Sequence, residues 1–408
     1  MDARQAAEAV ARVSYGRLLA YLSVRSRDVI AAEDALSDAL RAALETWPLD
    51  GVPKKPEAWL LSVARRKLID NIRHEQVHSS AKQTLLLFAD DIAPDTIAFP
   101  DERLKLLFVC AHPAIDPGAR TPLMLQTVLG LDAARIASAF LIAPAAMSQR
   151  LVRAKAKIRD ANIAFEVPEI SELADRLEAV LDAVYAVYGA AWEYVAGVDP
   201  QRGQLVEEAL WLARLLVELL PDEPEAKGLL ALLLYCESRR AARRSRDGSF
   251  VPLSEQDADR WSRPMMIEAE QLLAAAVAQK RMGRFQLEAA IQSAHAERAR
   301  NGRVERAAIV QLYDGLIAIA PSIGALLGRA AAVASMGTAQ EALALIDEIP
   351  PVSIGTYQPY WALRGHLLER LGRAQEAKAA YGRAIGLTED AAVREFLVRR
   401  ISFIESDQ

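Results

Sequence analysis

Three stretches of this chain hold side chains whose types and spacing could do chemistry. The first, His74-Glu75-Gln76-Val77-His78, reads HExxH. On a helix that spacing sets two imidazoles on one face for zinc, with the glutamate as general base. A zinc hydrolase needs a third ligand; Asp91, Asp95 and Glu102 have suitable side chains, but no third-ligand motif follows. RHEQVH instead extends a cationic run that begins at Pro56, so zinc hydrolysis stands as the weaker alternative. The second stretch pairs Cys110 with His112, two ligands where a closed site needs four, and Pro113 follows at once. A buried thiol at a helix end is the simpler reading. Cys236 is the remaining cysteine, so no disulfide framework or multi-cysteine zinc site is available. With no glycine-rich phosphate loop and no Ser-His-Asp spacing, the expectation is a chain with no catalytic residue, no metal and no cofactor.

The third stretch is MSQRLVRAKAKIRD (147–160), with five cations and one anion in a protein of net charge -5. Read as a helix, it puts Met147, Leu151, Ala154 and Ile158 on one apolar stripe. Arg150, Arg153 and Lys157 fall on one flank, and Ser148, Lys155 and Arg159 on the other. Just upstream, LDAARIASAFL (131–141) forms a short helix with Ile136, Ala137 and Phe140 inward, followed by the tight connection IAP. Helix, short turn, basic helix is the plan that sends a second helix into the major groove of DNA. Ser148, Gln149 and Arg150 would then meet base edges, with Arg153, Lys155, Lys157 and Arg159 nearer phosphates. A solvated basic face on an ordinary bundle helix is the alternative from this segment alone.

A second pair of helices lies near the N-terminus. AAEDALSDALRAALETW (31–47) turns Leu36, Leu40, Ala43 and Trp47 to a core and Glu33, Asp34, Asp38 and Glu45 outward. PEAWLLSVARRKLIDNIRHE (56–75) starts at a proline suited to a helix start and carries Arg65, Arg66, Lys67, Asn71 and Arg73 on its outer arc. An acidic helix followed by a basic one could serve two partners, or simply be solvated.

These helices belong to a chain of 408 residues, enough for two to four domains, with 52% hydrophobic and 25% charged residues. Apolar residues recur at helical spacing almost everywhere and β-branched runs are short, so the fold class is all-α. No apolar run is long enough to cross a bilayer, and the first residues lack the apolar core of a signal peptide, which reads as cytoplasmic with no membrane partner. Residues 1–165 hold 22 Lys/Arg against 19 Asp/Glu, and residues 166–408 hold 27 against 35. A polyanion therefore suits the first part and not the second. The polar stretch 238–260 has no apolar stripe and reads as a loop. MGTAQEALALID (336–347) and LGRAQEAKAAYG (371–382) share AQEA 35 residues apart, close to the tetratricopeptide period of about 34. Trp361, Gly365, Leu368, Gly372, Ala377, Tyr381 and Ala384 fit that pattern, and Glu389 replaces its final proline.

The acidic helix, AWLLSVARRKLIDNIR and RIASAFLIAPAAMSQRLVRAKAKIRD, in that order and spacing, resemble regions 2 and 4 of the extracytoplasmic-function RNA polymerase sigma factors. CAHPAI (110–115), LLVELLPDEPEAKGLLALLL (215–234), RFQLEAAIQSAHA (284–296) and the terminal repeats resemble the subgroup with a long helical C-terminal extension. The resemblance implies a sigma factor that binds core RNA polymerase and promoter DNA, with the C-terminal domain regulating activity or receiving a protein partner. It implies polymerase contact by Glu33, Asp34 and Asp38. Contact with the -10 element would come from Lys54, Lys55, Trp59, Arg65, Arg66, Asn71 and Arg73, and the -35 element would meet Ser148, Gln149, Arg150, Arg153, Lys155 and Lys157. Leu141 stands where such turns usually have glycine, Arg135 where glutamate is usual, and Ser37 where glutamine is common. The expected domains are region 2 (1–80), a linker (81–100), region 4 with its helix-turn-helix (101–165), a helical extension (166–260) and tetratricopeptide-like repeats (261–408). A helical-repeat scaffold without polymerase binding is the rival from another class.

Overall fold

The computed structural model describes residues 3–74, 101–140, 142–192, 200–302, 304–350 and 354–406. Among them the chain forms eighteen α-helices and three short 3-10 turns, and no strand beyond one isolated bridge between Arg244 and Phe250. The fold is all-α. The linker, Glu75 and His78 of HExxH, Asp91, Asp95 and Leu141 lie outside the described residues. No described helix is long and apolar enough to cross a membrane. Contacts group the chain into two compact units, 1–212 and 213–408.

The first unit begins with α1 (Ala3–Ser26), α2 (Val29–Asp50) and α3 (Pro56–His74). Their shared core contains Leu18, Leu22, Leu36, Trp47, Leu60 and Leu68, all nearly inaccessible. Asp28 caps α2, its Oδ1 accepting the N–H groups of Ile30 at 2.8 Å and Ala31 at 3.2 Å, which satisfies two donors that a helix start leaves open. Trp47 and Trp59 meet edge to face at 5.5 Å and close the joint between α2 and α3.

Then come α4 (Arg103–Cys110), α5 (Pro117–Leu129), α6 (Ala133–Ala139), α7 (Pro144–Asp160) and α8 (Ile170–Trp192). Gly130 ends α5 in the left-handed region at φ 69°, the conformation that favours glycine at a helix C-terminus. Helix α8 packs on α4 and α5, and Arg176 donates from Nη2 to the carbonyl of Phe108 at 2.6 Å. The first unit therefore runs past residue 165, to residue 212. Helix α9 (Pro200–Leu219) carries the chain across the boundary between units.

In the second unit α10 (Pro224–Ser238), α11 (Arg263–Val277), α12 (Arg284–Asn301), α13 (Arg306–Ile319) and α14 (Ile323–Ser335) are followed by α15 (Ala339–Asp347), α16 (Gln358–Arg370), α17 (Ala374–Leu387) and α18 (Ala391–Ser406). From α13 onward each helix packs mainly on its sequence neighbours, whereas α12 packs chiefly on α10, so stability in the later part accumulates pair by pair. Close approach is secured by small residues. A Cβ on Gly365 would lie 2.6 Å from Cδ1 of Tyr381, so the tyrosine ring fills the space that Gly365 leaves.

The stretch 238–260 is irregular, as its composition predicts, yet it is docked. Trp261, just beyond it, is buried, Phe250 meets Phe396 edge to face at 5.4 Å, and Arg244 pairs with Asp390. Single anchors without a period leave no stripe for a sequence pattern to register.

One acidic side chain holds two helices together. Glu225 on α10 accepts the backbone N–H groups of Phe285 at 2.9 Å and Gln286 at 3.1 Å at the start of α12, and the Gln286 amide at 3.1 Å. A side chain at Gly283 would strike this carboxylate at 2.2 Å. Glu225→Ala leaves those donors without an acceptor and is expected to cost about 1–3 kcal/mol, read as a lower midpoint in chemical denaturation. An unchanged midpoint would show that the α12 terminus is satisfied another way.

Candidate nucleic-acid interface

Helix α7 starts at Pro144 without a side-chain cap, and a short connection joins it to α6. Met147, Leu151, Ala154 and Ile158 are buried, and Ser148, Gln149, Arg153 and Lys157 are exposed. Arg150 is half-buried, its Nη1 donating to the carbonyl of Gly118 at 3.2 Å, and Arg153 donates from Nε to the carbonyl of Gln149 at 3.3 Å. Arg150, Arg153 and Lys157 border an open cavity of about 400 Å³ closed on its other side by Ile115, Asp116 and Ala119. The cations there have exposed N–H groups for phosphate oxygens.

Lys155 is placed differently. It is 8% exposed and its Nζ meets Oε2 of Glu33 on α2. The helical wheel set Lys155 on a solvent flank beside the apolar stripe; α2 packs against that edge of α7 and supplies a carboxylate, so the lysine turns inward. Among the described residues, Lys155 and Glu33 thus bridge a helix expected to read DNA and a helix expected to meet polymerase.

The neighbourhood of this pair is tightly packed. Oε1 of Glu33 is buried with no hydrogen-bond partner among the described residues. Burial pushes the Glu33 carboxyl above its ordinary value, and the attraction of Lys155 offsets this only in part. Burial and the nearby Glu33 carboxylate push the Tyr15 hydroxyl up as well. Helices α1 and α5 come so close that a Cβ on Gly16 would sit 1.9 Å from the carbonyl oxygen of Val128, and one on Gly130 would sit 2.8 Å from Cδ1 of Tyr15. Cys110 ends α4 fully buried, 3.4 Å from Oγ1 of Thr127, its thiol pushed up to about 12 by burial. It is an inert packed thiol.

The remaining predicted residues fall on α2, α3 and their connection. Asp34 is exposed, and Asp38 is half-buried with Arg41 at 2.7 Å and Lys67 at 3.9 Å. Lys54 and Lys55 are exposed on the connection from Gly51, whose φ is 87°. Leu49, near the end of α2, is 85% exposed. Trp59 and Arg65 are half-buried and Arg66 is exposed. Asn71 and Arg73 lie in the last turn of α3. Of HExxH only His74 is described, at the end of that helix.

Sequence reasoning did not single out Gly16, Tyr15 or Gly130 for this region. The signal present was a glycine inside the helical pattern of residues 3–26, which often marks a close approach of another backbone.

Comparison with known proteins agrees with this architecture. The sigma-70 region 2 family matches residues 11–77, which cover most of α1 to α3, and a family of unknown function, DUF6596, matches residues 176–277, from within α8 to the end of α11. An uncharacterized protein of Rhizobium meliloti (strain 1021), R00370, is 37% identical over 399 residues, covering 96% of this chain and 93% of that protein. No solved structure matches. With that likeness running nearly end to end, the chain belongs to one family with R00370, and the region 2 match on its first helical bundle supports a sigma-factor family.

Proposed function

We propose that the chain binds core RNA polymerase and gives it promoter choice, in the manner of the extracytoplasmic-function group. Region 2 would meet the polymerase through Asp34, Asp38 and, once freed from Lys155, Glu33. It would meet the -10 element through Lys54, Lys55, Trp59, Arg65, Arg66, Asn71 and Arg73. Helix α7 would read the -35 element with Ser148, Gln149 and Arg150 at the bases and Arg153, Lys155 and Lys157 toward phosphate. Two modest contacts made at once give a tight complex, and the polymerase contributes much of the grip on DNA. The observation that carries the reading is the region 2 match on a bundle with an acidic helix beside a cationic one, followed in the same unit by α6 and, four residues on, cationic α7. The site of action is the cytoplasm.

The test is run-off transcription with purified core polymerase on fragmented genomic DNA, together with co-purification. Asp34→Lys with Asp38→Lys is expected to weaken core binding roughly tenfold or more, since opposed charge at a docking surface is repulsive. Failure of the unaltered chain to bind core at any salt concentration would overturn the reading and leave a helical scaffold.

The C-terminal unit is proposed to regulate the first, its repeats offering a surface to a partner. Truncation tests of this must keep α8. A cut after Pro168 would strip the core of α4 and α5 that α8 covers and would mimic a regulatory effect by simple destabilisation.

A further inference from the structure

The second unit has no net charge, with 25 Lys/Arg against 25 Asp/Glu over residues 213–408, yet it contains a cavity of about 870 Å³ with a cationic lining. Helices α12, α13, α14 and α16 bound it, and residues 253–261 wall one side. Its size lies within the range of small-molecule sites, roughly 300–1,000 Å³.

Three guanidinium groups line it, Arg298, Arg306 and Arg370, against one carboxylate, Glu305. Arg298 donates to the carbonyls of Leu253 at 3.0 Å and Ser254 at 2.8 Å, and to that of Gln256, while lying over the Trp261 ring at 5.6 Å. Arg370 donates to the carbonyl of Ala334 at 2.7 Å. None of the three has a carboxylate partner among the described residues. Elsewhere in the unit arginines are paired, Arg400 with Glu369 at 2.6 Å and Arg214 with Glu268 at 3.1 Å. Neutral carbonyls satisfy N–H groups but leave the charge uncompensated, so the cavity keeps a positive field inside a unit with no net charge.

The walls between these cations are apolar. Trp261 is 5% exposed, and Tyr313 lies against α14, where a Cβ on Gly328 would meet its ring at 2.3 Å. Ala331, Ala332 and Leu363 complete this surface. His295 faces the same space, its imidazole pushed down to about 4 by burial and by Arg239 and Arg298. It is therefore neutral near pH 7 and offers a hydrogen bond, while the positive charge comes from the arginines.

We propose that this cavity binds a small organic anion, a carboxylate or phosphate carried on an aromatic or aliphatic body. Arg306 and Arg370 meet its charge, and Trp261, Tyr313 and Leu363 meet its apolar part. The wall that Arg298 pins across one side favours a compact ligand over an extended peptide. The site uses residues of the second unit alone and stands whether or not the chain binds polymerase.

The test titrates the full chain with 1-anilinonaphthalene-8-sulfonate, followed by fluorescence, beside its uncharged counterpart N-phenyl-1-naphthylamine. Saturable binding of the sulfonate is expected, with the uncharged probe roughly tenfold weaker, a difference of about 1.4 kcal/mol. Arg306→Glu and Arg370→Glu should each weaken the sulfonate several-fold, and Arg150→Glu on α7 should not. Arg306 makes no side-chain hydrogen bond to a described residue that a reversal would break, so its variant should keep the parent melting temperature. Phenyl phosphate and benzoate should compete. Equal binding of the two probes, or titrations unchanged in both variants, would overturn the proposal. Displacement by an acidic peptide and by neither small anion would also overturn it, in favour of a docking site for protein.

Discussion

A Gly16→Ala protein is expected to unfold at a lower denaturant concentration than its parent, although the same change in an open helix stabilises. Alanine is better than glycine in a helix interior by about 0.5–1 kcal/mol. Gly382 in α17, with nothing within 4 Å of a built Cβ, should show that gain. At Gly16 the added methyl would stand 1.9 Å from the Val128 carbonyl oxygen. A backbone oxygen in a packed helix cannot rotate away as a side chain can, so α1 and α5 must part. Overpacking costs about 1–3 kcal/mol where side chains can adjust, and the upper end or beyond is expected here. The core of Leu18, Leu36, Trp47 and Leu60 lies within α1 to α3 and survives. Amide exchange should therefore rise in α5 and α7 and stay low in α2 and α3. A midpoint that rises, as at Gly382, would show that α1 and α5 do not meet at this distance in solution. Under the proposed function, the opened variant also exposes Glu33 and Lys155 to polymerase and DNA.

Lys155→Met is expected to destabilise the first unit strongly, by about 3–5 kcal/mol, because it leaves Glu33 buried without a cation. The double variant Lys155→Met, Glu33→Leu should recover most of that loss, since a hydrophobic pair of similar volume replaces both charges. A double-mutant cycle from urea denaturation measures the coupling; additive effects would mean that the two side chains are not in contact. The pH dependence has a definite sign. Burial holds the Glu33 carboxyl above its ordinary value, so the native state grips the proton more tightly than the unfolded chain. The stability from this linkage is fully present below the ordinary carboxylate pKa and is lost as pH rises through the raised native one. Removing Lys155 removes the attraction that opposed the shift, and the raised value moves higher. The cost of Lys155→Met should consequently shrink on acidification, when Glu33 takes up a proton, and be largest at alkaline pH.

Much of this protein was legible in its sequence because the signals are local. The helical period gave the all-α class, Pro56 marks a helix start, and the cationic and apolar faces of α3 and α7 follow from residue spacing. Met147, Leu151, Ala154 and Ile158 were placed inward by period alone and are buried.

Periodicity names a face but not what lies opposite. Lys155 sits at the edge of the α7 stripe, where either direction is open to its long side chain, and the carboxylate that draws it inward is 122 residues away in the chain. The close meeting of Gly16 with Val128, the docking of α8 on α4 and α5, and the gathering of Arg298, Arg306 and Arg370 around one cavity are likewise long-range. Composition and spacing determined which helices form and which chemistry each carries. Packing between helices distant in sequence decided which of those charges are spent inside the protein and which are left for a partner, because burial and pairing energies depend on neighbours that no local pattern records.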